Sequence, residues 1–177
     1  MHLLPRVAFY PSLVYNVLME KYASRPWYTR IDDTVILGAL PFRSMTEQLV
    51  NEEKVTGVIS LNEDYELTYF VNSKEEWKAA GVEQLHIPTP DLVAAPSLQS
   101  LKEAVKFIHC HGDKGGSVYV HCKAGRTRSA TVVACYLMNI HKWDVPSTVD
   151  FLMKKRPHVW LRETQLAALE EYKKDIT

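Results

Sequence analysis

Cysteine is scarce in this chain: 177 residues contain only Cys110, Cys122 and Cys135. A small, odd number excludes a disulfide scaffold and suits a reducing compartment. Long hydrophobic runs are also missing. No stretch reaches the roughly 18 apolar residues that a membrane span requires. The longest candidate, Val7 to Met19, holds Pro11 and Asn16. No small-residue cleavage site follows it, so it does not read as a secretory signal. An excess of one charge is absent too, since 21 basic residues balance 21 acidic ones. That argues against a dedicated nucleic-acid binder. Repeats, low-complexity tracts and internal linkers are missing as well. What remains is a chain of ordinary apolar content, long enough for one domain with a real core.

The first 25 residues read as an amino-terminal helical segment, and residues 26–177 as the domain proper. Val7, Tyr10, Val14, Val17 and Leu18 fall roughly on one helical face, with Arg6, Lys21, Arg25 and Arg30 near it. Two readings stay open: an interfacial anchor, or a terminal helix packed on the domain.

Further along, short β-branched-rich runs predict strands at Thr34 to Leu40, Val55 to Leu61, Val82 to Ile87 and Ser117 to His121. Helical patterns cover Ser44 to Asn51, Pro96 to His111, Arg128 to Ile140, Pro146 to Lys155 and Arg162 to Lys174. The third of these is apolar nearly all round and predicts a buried central helix. The alternation predicts a compact α/β domain, a small central mixed sheet flanked by helices.

Between the strand ending at His121 and the helix starting at Arg128 lies His121-Cys122-Lys123-Ala124-Gly125-Arg126-Thr127-Arg128-Ser129. A loop at the carboxyl end of a strand and the amino end of a helix is where α/β proteins bind ligands. Gly125 permits a tight turn. Successive N–H groups and the helix dipole then make a nest for a tetrahedral oxyanion. Arg128 can grip two phosphate oxygens. Cys122 lies at the base, where the same charges favour its thiolate. A thiolate under a bound phosphorus is placed for in-line attack, and Ser129 can donate a hydrogen bond to the sulfur. The pattern therefore predicts phosphomonoester hydrolysis through a phosphocysteine.

His109, Cys110, His111, His121 and Cys122 also invite a metal reading. The spacing lacks a second close ligand pair, so neither metal nor cofactor is expected. Cys110 and Cys135 read as small core residues or plain thiols. The leaving oxygen needs a proton, and Asp91, in Pro88-Thr89-Pro90-Asp91 just past a strand, is the candidate general acid. Asp113 and Asp144 are weaker rivals. Lys123 and Arg126 add cations that suit a substrate with more than one negative group.

His121-Cys122-x5-Arg128-Ser129 resembles the protein tyrosine phosphatase superfamily, and the short chain looks like its dual-specificity branch. Trp27-Tyr28-x-Arg30-Ile31, Leu37-Gly38-Ala39-Leu40-Pro41, Gly57-Val58-Ile59, Asn62-Glu63-Asp64-Tyr65-Glu66 and Gly81-Val82-Glu83-Gln84-Leu85 resemble the group of mitochondrial phosphatases that act on phosphatidylglycerophosphate. Thr127 replaces a Ser in that group's loop. Asp64 replaces a Glu in its acidic segment, and prolines 88 and 90 flank Thr89 where the group has a Ser-Thr-Val-Asp setting.

The resemblance implies Cys122 as nucleophile, Arg128 as phosphate ligand and Asp91 as general acid. It implies substrate contacts from Lys123, Ala124, Gly125, Arg126, Thr127, Ser129, Glu63, Asp64, Tyr65 and Glu66. It further implies a phospholipid substrate and a place at the mitochondrial inner membrane, in cardiolipin synthesis. A protein phosphatase and a non-catalytic phosphate-reading module are the competing expectations.

Overall fold

The computed structural model describes residues 3–23, 25–91 and 94–177, with the side chains of 3–6 and 21–23 left out. At the centre is a five-stranded sheet in the order β1-β2-β5-β3-β4. Its strands are β1 (Tyr28–Arg30), β2 (Val35–Gly38), β3 (Val55–Ser60), β4 (Glu83–His86) and β5 (Ser117–His121). The four strands β2 to β5 run parallel, and β1 joins the β2 edge antiparallel. Parallel strands are covered on both faces, so their runs are apolar throughout rather than alternating. The central strand β5 follows this rule, with all five residues buried.

Helices cover both faces and are named in chain order: α1 (Leu3–Ala23), α2 (Thr46–Asn51), α3 (Asp64–Leu67), α4 (Lys74–Ala79), α5 (Leu98–Gly112), α6 (Arg128–His141), α7 (Val145–Lys155) and α8 (Glu163–Ile176). Helix α6 is the buried helix that the sequence predicts: its residues 128 to 138 are all buried. The main core gathers around it, joining Leu37, Ile59 and Val120 of the sheet to Leu101, Ile108, Leu152 and Leu169 of the surrounding helices.

Predicted and observed elements differ at their ends and in the short pieces. The strand expected at Thr34 to Leu40 pairs only over Val35–Gly38. A 3₁₀ turn, Arg43–Met45, precedes α2 where one helix is expected from Ser44. Strand β1 and helices α3 and α4 escape the periodicity, being three, four and six residues long. A sequence signal for α4 exists nonetheless: Ser73 and Glu76 form a capping box.

Close approach of β2 to β5 depends on Gly38. A Cβ there would stand 2.1 Å from the Tyr119 hydroxyl. That hydroxyl donates to Ala39 O at 2.8 Å and fixes the turn after β2 beside the Cys122 loop.

Helix α1 packs on the domain, but not through the face marked out by the sequence. Phe9 and Leu13 are buried in a cluster with Trp27, Ala39, Leu40 and Val71. Val7, Tyr10, Val14, Val17 and Leu18 are exposed on the other side. The core cluster thus crosses the expected boundary at residue 25. Arg30 is engaged with Glu53 rather than with α1. The expected positions of the Arg6 and Lys21 side chains lie outside the described residues.

Candidate active site

The loop 122–127 links β5 to α6 and is bent by Gly125, whose φ of 64° lies in the left-handed region. The carbonyls of residues 123 to 127 are drawn to the outside. Leu40 N–H donates to Lys123 O at 3.3 Å, and Trp160 N–H donates to Arg126 O at 2.9 Å. The Arg156 guanidinium donates to Gly125 O at 3.0 Å and Ala124 O at 3.3 Å. Thr131 donates to Thr127 O through both its N–H and its hydroxyl. Among the described residues, none of the N–H groups of 123 to 128 donates to a backbone carbonyl. With the acceptors turned away, the loop presents its donors to the centre, as an anion nest requires.

Arg156 is the brace behind this loop. It is 1% exposed and also donates to Pro26 O, Trp27 O and Thr29 Oγ1. Burial lowers its pKa to about 10, so it stays charged at neutral pH. Its partners are carbonyls and a hydroxyl, with no carboxylate ion pair among the described residues. Its charge therefore adds to the positive potential beneath Cys122.

Cys122 is buried, and its sulfur lies 3.2 Å from Ser129 Oγ. Burial opposes the thiolate, but the Arg128 charge and hydrogen bonds from the Ser129 hydroxyl and N–H outweigh it. The thiol pKa falls below its ordinary value. His121, one residue earlier, is pushed down to about 3 by burial and is neutral. The buried Cys135 goes the opposite way, its thiol raised by desolvation without a compensating charge.

Arg128 is 1% exposed and held on several sides. Glu66 takes Nη1 at 2.8 Å and Nη2 at 3.1 Å. Leu61 O and Thr89 O accept from Nη1 at 3.2 and 2.9 Å. Asp91 Oδ1 is 3.2 Å from Nη2. Its Nε, by contrast, is buried without a partner. An unpaired buried donor costs about 1–3 kcal/mol, which a phosphate oxygen would relieve. Asp91 also meets Lys123 Nζ at 2.6 Å, so Cys122, Lys123, Arg128 and Asp91 meet in one cleft.

The acidic segment 63–66 is placed differently from a row of substrate contacts. Glu66 reaches the loop from behind, through Arg128. Glu63 caps α3. Asp64 is almost fully exposed and lies 3.7 Å from His86. Tyr65 stacks edge-on with Phe9. None of the four lines the cleft with Cys122.

The rival acids lie elsewhere. Asp113 ends α5, and Asp144 caps α7 by accepting from Ser147 N–H. Cys110 is exposed rather than in the core. His109 and His111 turn to Asn139 and Thr56. Among the described residues, no group of three His, Cys, Asp or Glu side chains is placed to hold a metal.

Residues that the sequence did not single out complete the cleft, which encloses about 190 Å³. Ser12, Tyr15 and Asn16 line it from α1, and Trp160 and Arg162 line it from the segment before α8. Trp160 is tied to the loop twice, at Arg126 O and through the Thr127 hydroxyl. The only advance signal was the helical character of the first segment, since the contacts join residues far apart in sequence, 33 positions for Thr127 and Trp160.

Comparison with known proteins agrees with this geometry. The model of the dual specificity phosphatase catalytic domain matches residues 48–175. A Homo sapiens protein, phosphatidylglycerophosphatase and protein-tyrosine phosphatase 1, is 49% identical over 98% of this chain and 88% of its own length. The Arabidopsis thaliana phosphatidylglycerophosphate phosphatase PTPMT1 is 42% identical over 94% of this chain and 49% of its own. The crystal structure of PTPMT1 in complex with PI(5)P superposes with a TM-score of 0.84 at 47% identity, covering 85% of this chain and 97% of that one. A cysteine-based loop in this fold, matched over most of the domain, has one assignment: the chain belongs to the dual specificity phosphatase family, whose members are cysteine-dependent phosphatases.

Proposed function

We propose that this chain hydrolyses the terminal phosphomonoester of phosphatidylglycerophosphate at a membrane surface, forming phosphatidylglycerol for cardiolipin synthesis. The observation that carries the reading is the cleft itself. The anion nest opens beneath α1, whose outer face (Val7, Tyr10, Val14, Val17 and Leu18) is apolar and exposed. An interfacial helix over the nest brings a charged headgroup to Cys122 while leaving acyl chains in lipid. No helix among the described residues is long and apolar enough to cross a membrane. The relatives' names support the lipid, and the resemblance to the mitochondrial group supports a location at the inner mitochondrial membrane as part of this proposal.

The reaction has two steps. Cys122 thiolate attacks phosphorus, and a phosphocysteine forms as the phosphorus–oxygen bond to the lipid breaks. The entering phosphate dianion competes for Lys123 and Arg128 and favours the protonated form of Asp91, which gives its proton to the departing oxygen. Water then attacks phosphorus, Asp91 takes a proton from it, and the sulfur leaves as a thiolate stabilised by Ser129. The N–H groups of 123 to 128 and the Arg128 Nε hold the transition-state charge throughout.

Turnover of phosphatidylglycerophosphate in mixed vesicles, set against turnover of phosphotyrosyl and phosphoseryl peptides, tests the assignment. The lipid is expected to have a kcat/KM at least about tenfold higher. Equal or faster peptide hydrolysis makes the chain a protein phosphatase instead.

A further inference from the structure

We infer that Trp160 is a second membrane contact: with Arg25 and Arg126 beside it, its exposed ring seats the wall of the Cys122 cleft that faces α1 in an anionic lipid surface. The inference rests on the proposed membrane-surface reading and adds where the cleft meets the bilayer and which lipid charge it prefers.

Of the four tryptophans in the chain, only Trp160 is exposed, at 53%. Trp27 and Trp77 are buried, and Trp143 is partly buried. An exposed indole ring is unfavourable in water. At the headgroup level of a bilayer its ring meets apolar matter while its N–H stays wet. The residue is fixed to the nest through its backbone. Trp160 N–H donates to Arg126 O at 2.9 Å, and the Thr127 hydroxyl donates to Trp160 O at 3.0 Å. The guanidinium groups of Arg162 and Arg126 lie 4.2 and 5.8 Å from the ring, within cation–π range. The depth of the ring in a bilayer therefore sets the depth of the nest.

Position favours the same reading. Trp160 lines one wall of the cleft, and Tyr15 of α1, itself 50% exposed, lines the other. A lipid surface resting on α1 alone touches one side of the opening. With Trp160 it touches both, and the cleft opens into the headgroup layer.

Charge selects the lipid. Beside Trp160 runs a groove of about 680 Å³, lined by Arg25, Arg126 and His158 with prolines 26 and 157, and no carboxylate lines it. Arg126 Nε donates to His158 O at 2.9 Å. Neither Arg25 nor Arg126 forms an ion pair among the described residues, and Glu20, in the adjoining hollow, pairs with neither. Burial and the neighbouring arginines push His158 down to about 4, so it is neutral and the groove's charge is that of the two arginines. Guanidinium groups beside a seated indole match the phosphates of an anionic lipid. An acidic peptide in the groove would satisfy the arginines but leave Tyr15 and the outer face of α1 uncovered.

Fluorescence of the full chain in the Cys122→Ser background tests this without turnover. The vesicles are phosphatidylcholine alone or phosphatidylcholine mixed with phosphatidylglycerol. The difference between this protein and its Trp160→Phe form isolates the Trp160 signal. On mixed vesicles that signal should shift to the blue, and lipids brominated on their acyl chains should quench it at least about twofold. Arg25→Gln should weaken binding to mixed vesicles at least about threefold and leave binding to phosphatidylcholine alone unchanged. Arg25 lies outside the nest and the cleft, so hydrolysis of para-nitrophenyl phosphate by the Arg25→Gln enzyme should equal that of its parent and report an intact fold.

A Trp160 signal that neither shifts nor is quenched while the protein cosediments with vesicles overturns the inference and leaves α1 as the membrane contact. So does a shift evoked by an acidic phosphopeptide and not by vesicles, which assigns this face to a protein partner. Undiminished binding of Arg25→Gln to mixed vesicles overturns the charge preference. Failure of the membrane reading itself is a different result, an absence of cosedimentation with either vesicle, and failure of the lipid substrate is read from turnover against peptides.

Discussion

Arg128 and Glu66 meet through two parallel contacts, Nη1 to Oε2 at 2.8 Å and Nη2 to Oε1 at 3.1 Å, with both side chains 1% exposed. The carboxylate occupies the outer edge of the guanidinium and leaves Nε directed elsewhere, unpaired and buried. Glu66 thus orients Arg128 without competing for the position a phosphate would take.

Removing the carboxylate leaves a buried charge without its main partner. Glu66→Ala is expected to cost about 3–5 kcal/mol of stability in urea unfolding, and Glu66→Gln less. Both should weaken inorganic phosphate binding, since Arg128 loses its fixed orientation. A Glu66→Ala protein as stable as its parent would show that the pair contributes only position.

Ser129 sets the pH at which Cys122 becomes reactive. Its hydroxyl lowers the thiol pKa, so Ser129→Ala should raise it. At about pH 6 the thiolate fraction falls and alkylation by iodoacetate slows, with the midpoint of the rate profile moved to higher pH. Stability carries the same sign. A depressed thiol pKa contributes stability that is present above the unfolded value of about 8.5 and is lost as pH falls through the folded value. Cys122→Ser should abolish turnover and flatten that slope.

Gly125 has no room for a side chain. A Cβ there would stand 2.6 Å from the backbone of Gly38 and 2.9 Å from Arg156 Nη2, at a φ that L-residues rarely adopt. Gly125→Ala is expected to cost about 1–3 kcal/mol and to weaken vanadate binding along with turnover. Vanadate affinity equal to that of the parent would mean the nest forms without this turn.

Arg156→Met leaves four carbonyls and one hydroxyl without their buried donor. At about 1–3 kcal/mol for each group left unsatisfied, a loss of several kcal/mol is expected in thermal unfolding. It also removes a positive charge near Cys122, so the alkylation midpoint should rise, with Arg156→Lys falling between. A destabilised variant with an unshifted midpoint would assign Arg156 to the fold alone.

The outer face of α1 is expected to drive vesicle binding. Val14→Asp and Leu18→Asp place charges on exposed positions and should reduce cosedimentation with anionic vesicles at least about tenfold. Phe9 and Leu13, which hold α1 to the domain, are untouched by these changes. Undiminished cosedimentation would leave α1 as a packing helix only.

The sequence by itself determined the proposed reaction centre and the frame that carries it. Cys122, Gly125, Arg128 and Ser129 are marked out by local spacing between one strand and one helix, and the apolar runs of β5 and α6 announce those elements. Local periodicity suffices there because the signal lies within a few residues. Only the tertiary structure decided the rest. Glu66, read as a substrate contact, turns inward because burial demands a partner for Arg128 across 62 positions. Arg156 looks like the end of an ordinary amphipathic helix until the fold brings Pro26 and Gly125 to it. The periodicity of α1 could mark an apolar face but not say which side would be covered. That was settled by Phe9 and Leu13, which meet Trp27, Leu40 and Val71 in a cluster assembled from distant segments. The Asn16 and Arg162 walls of the cleft come from opposite ends of the chain, and no local pattern encodes a contact whose partner lies more than a hundred residues away.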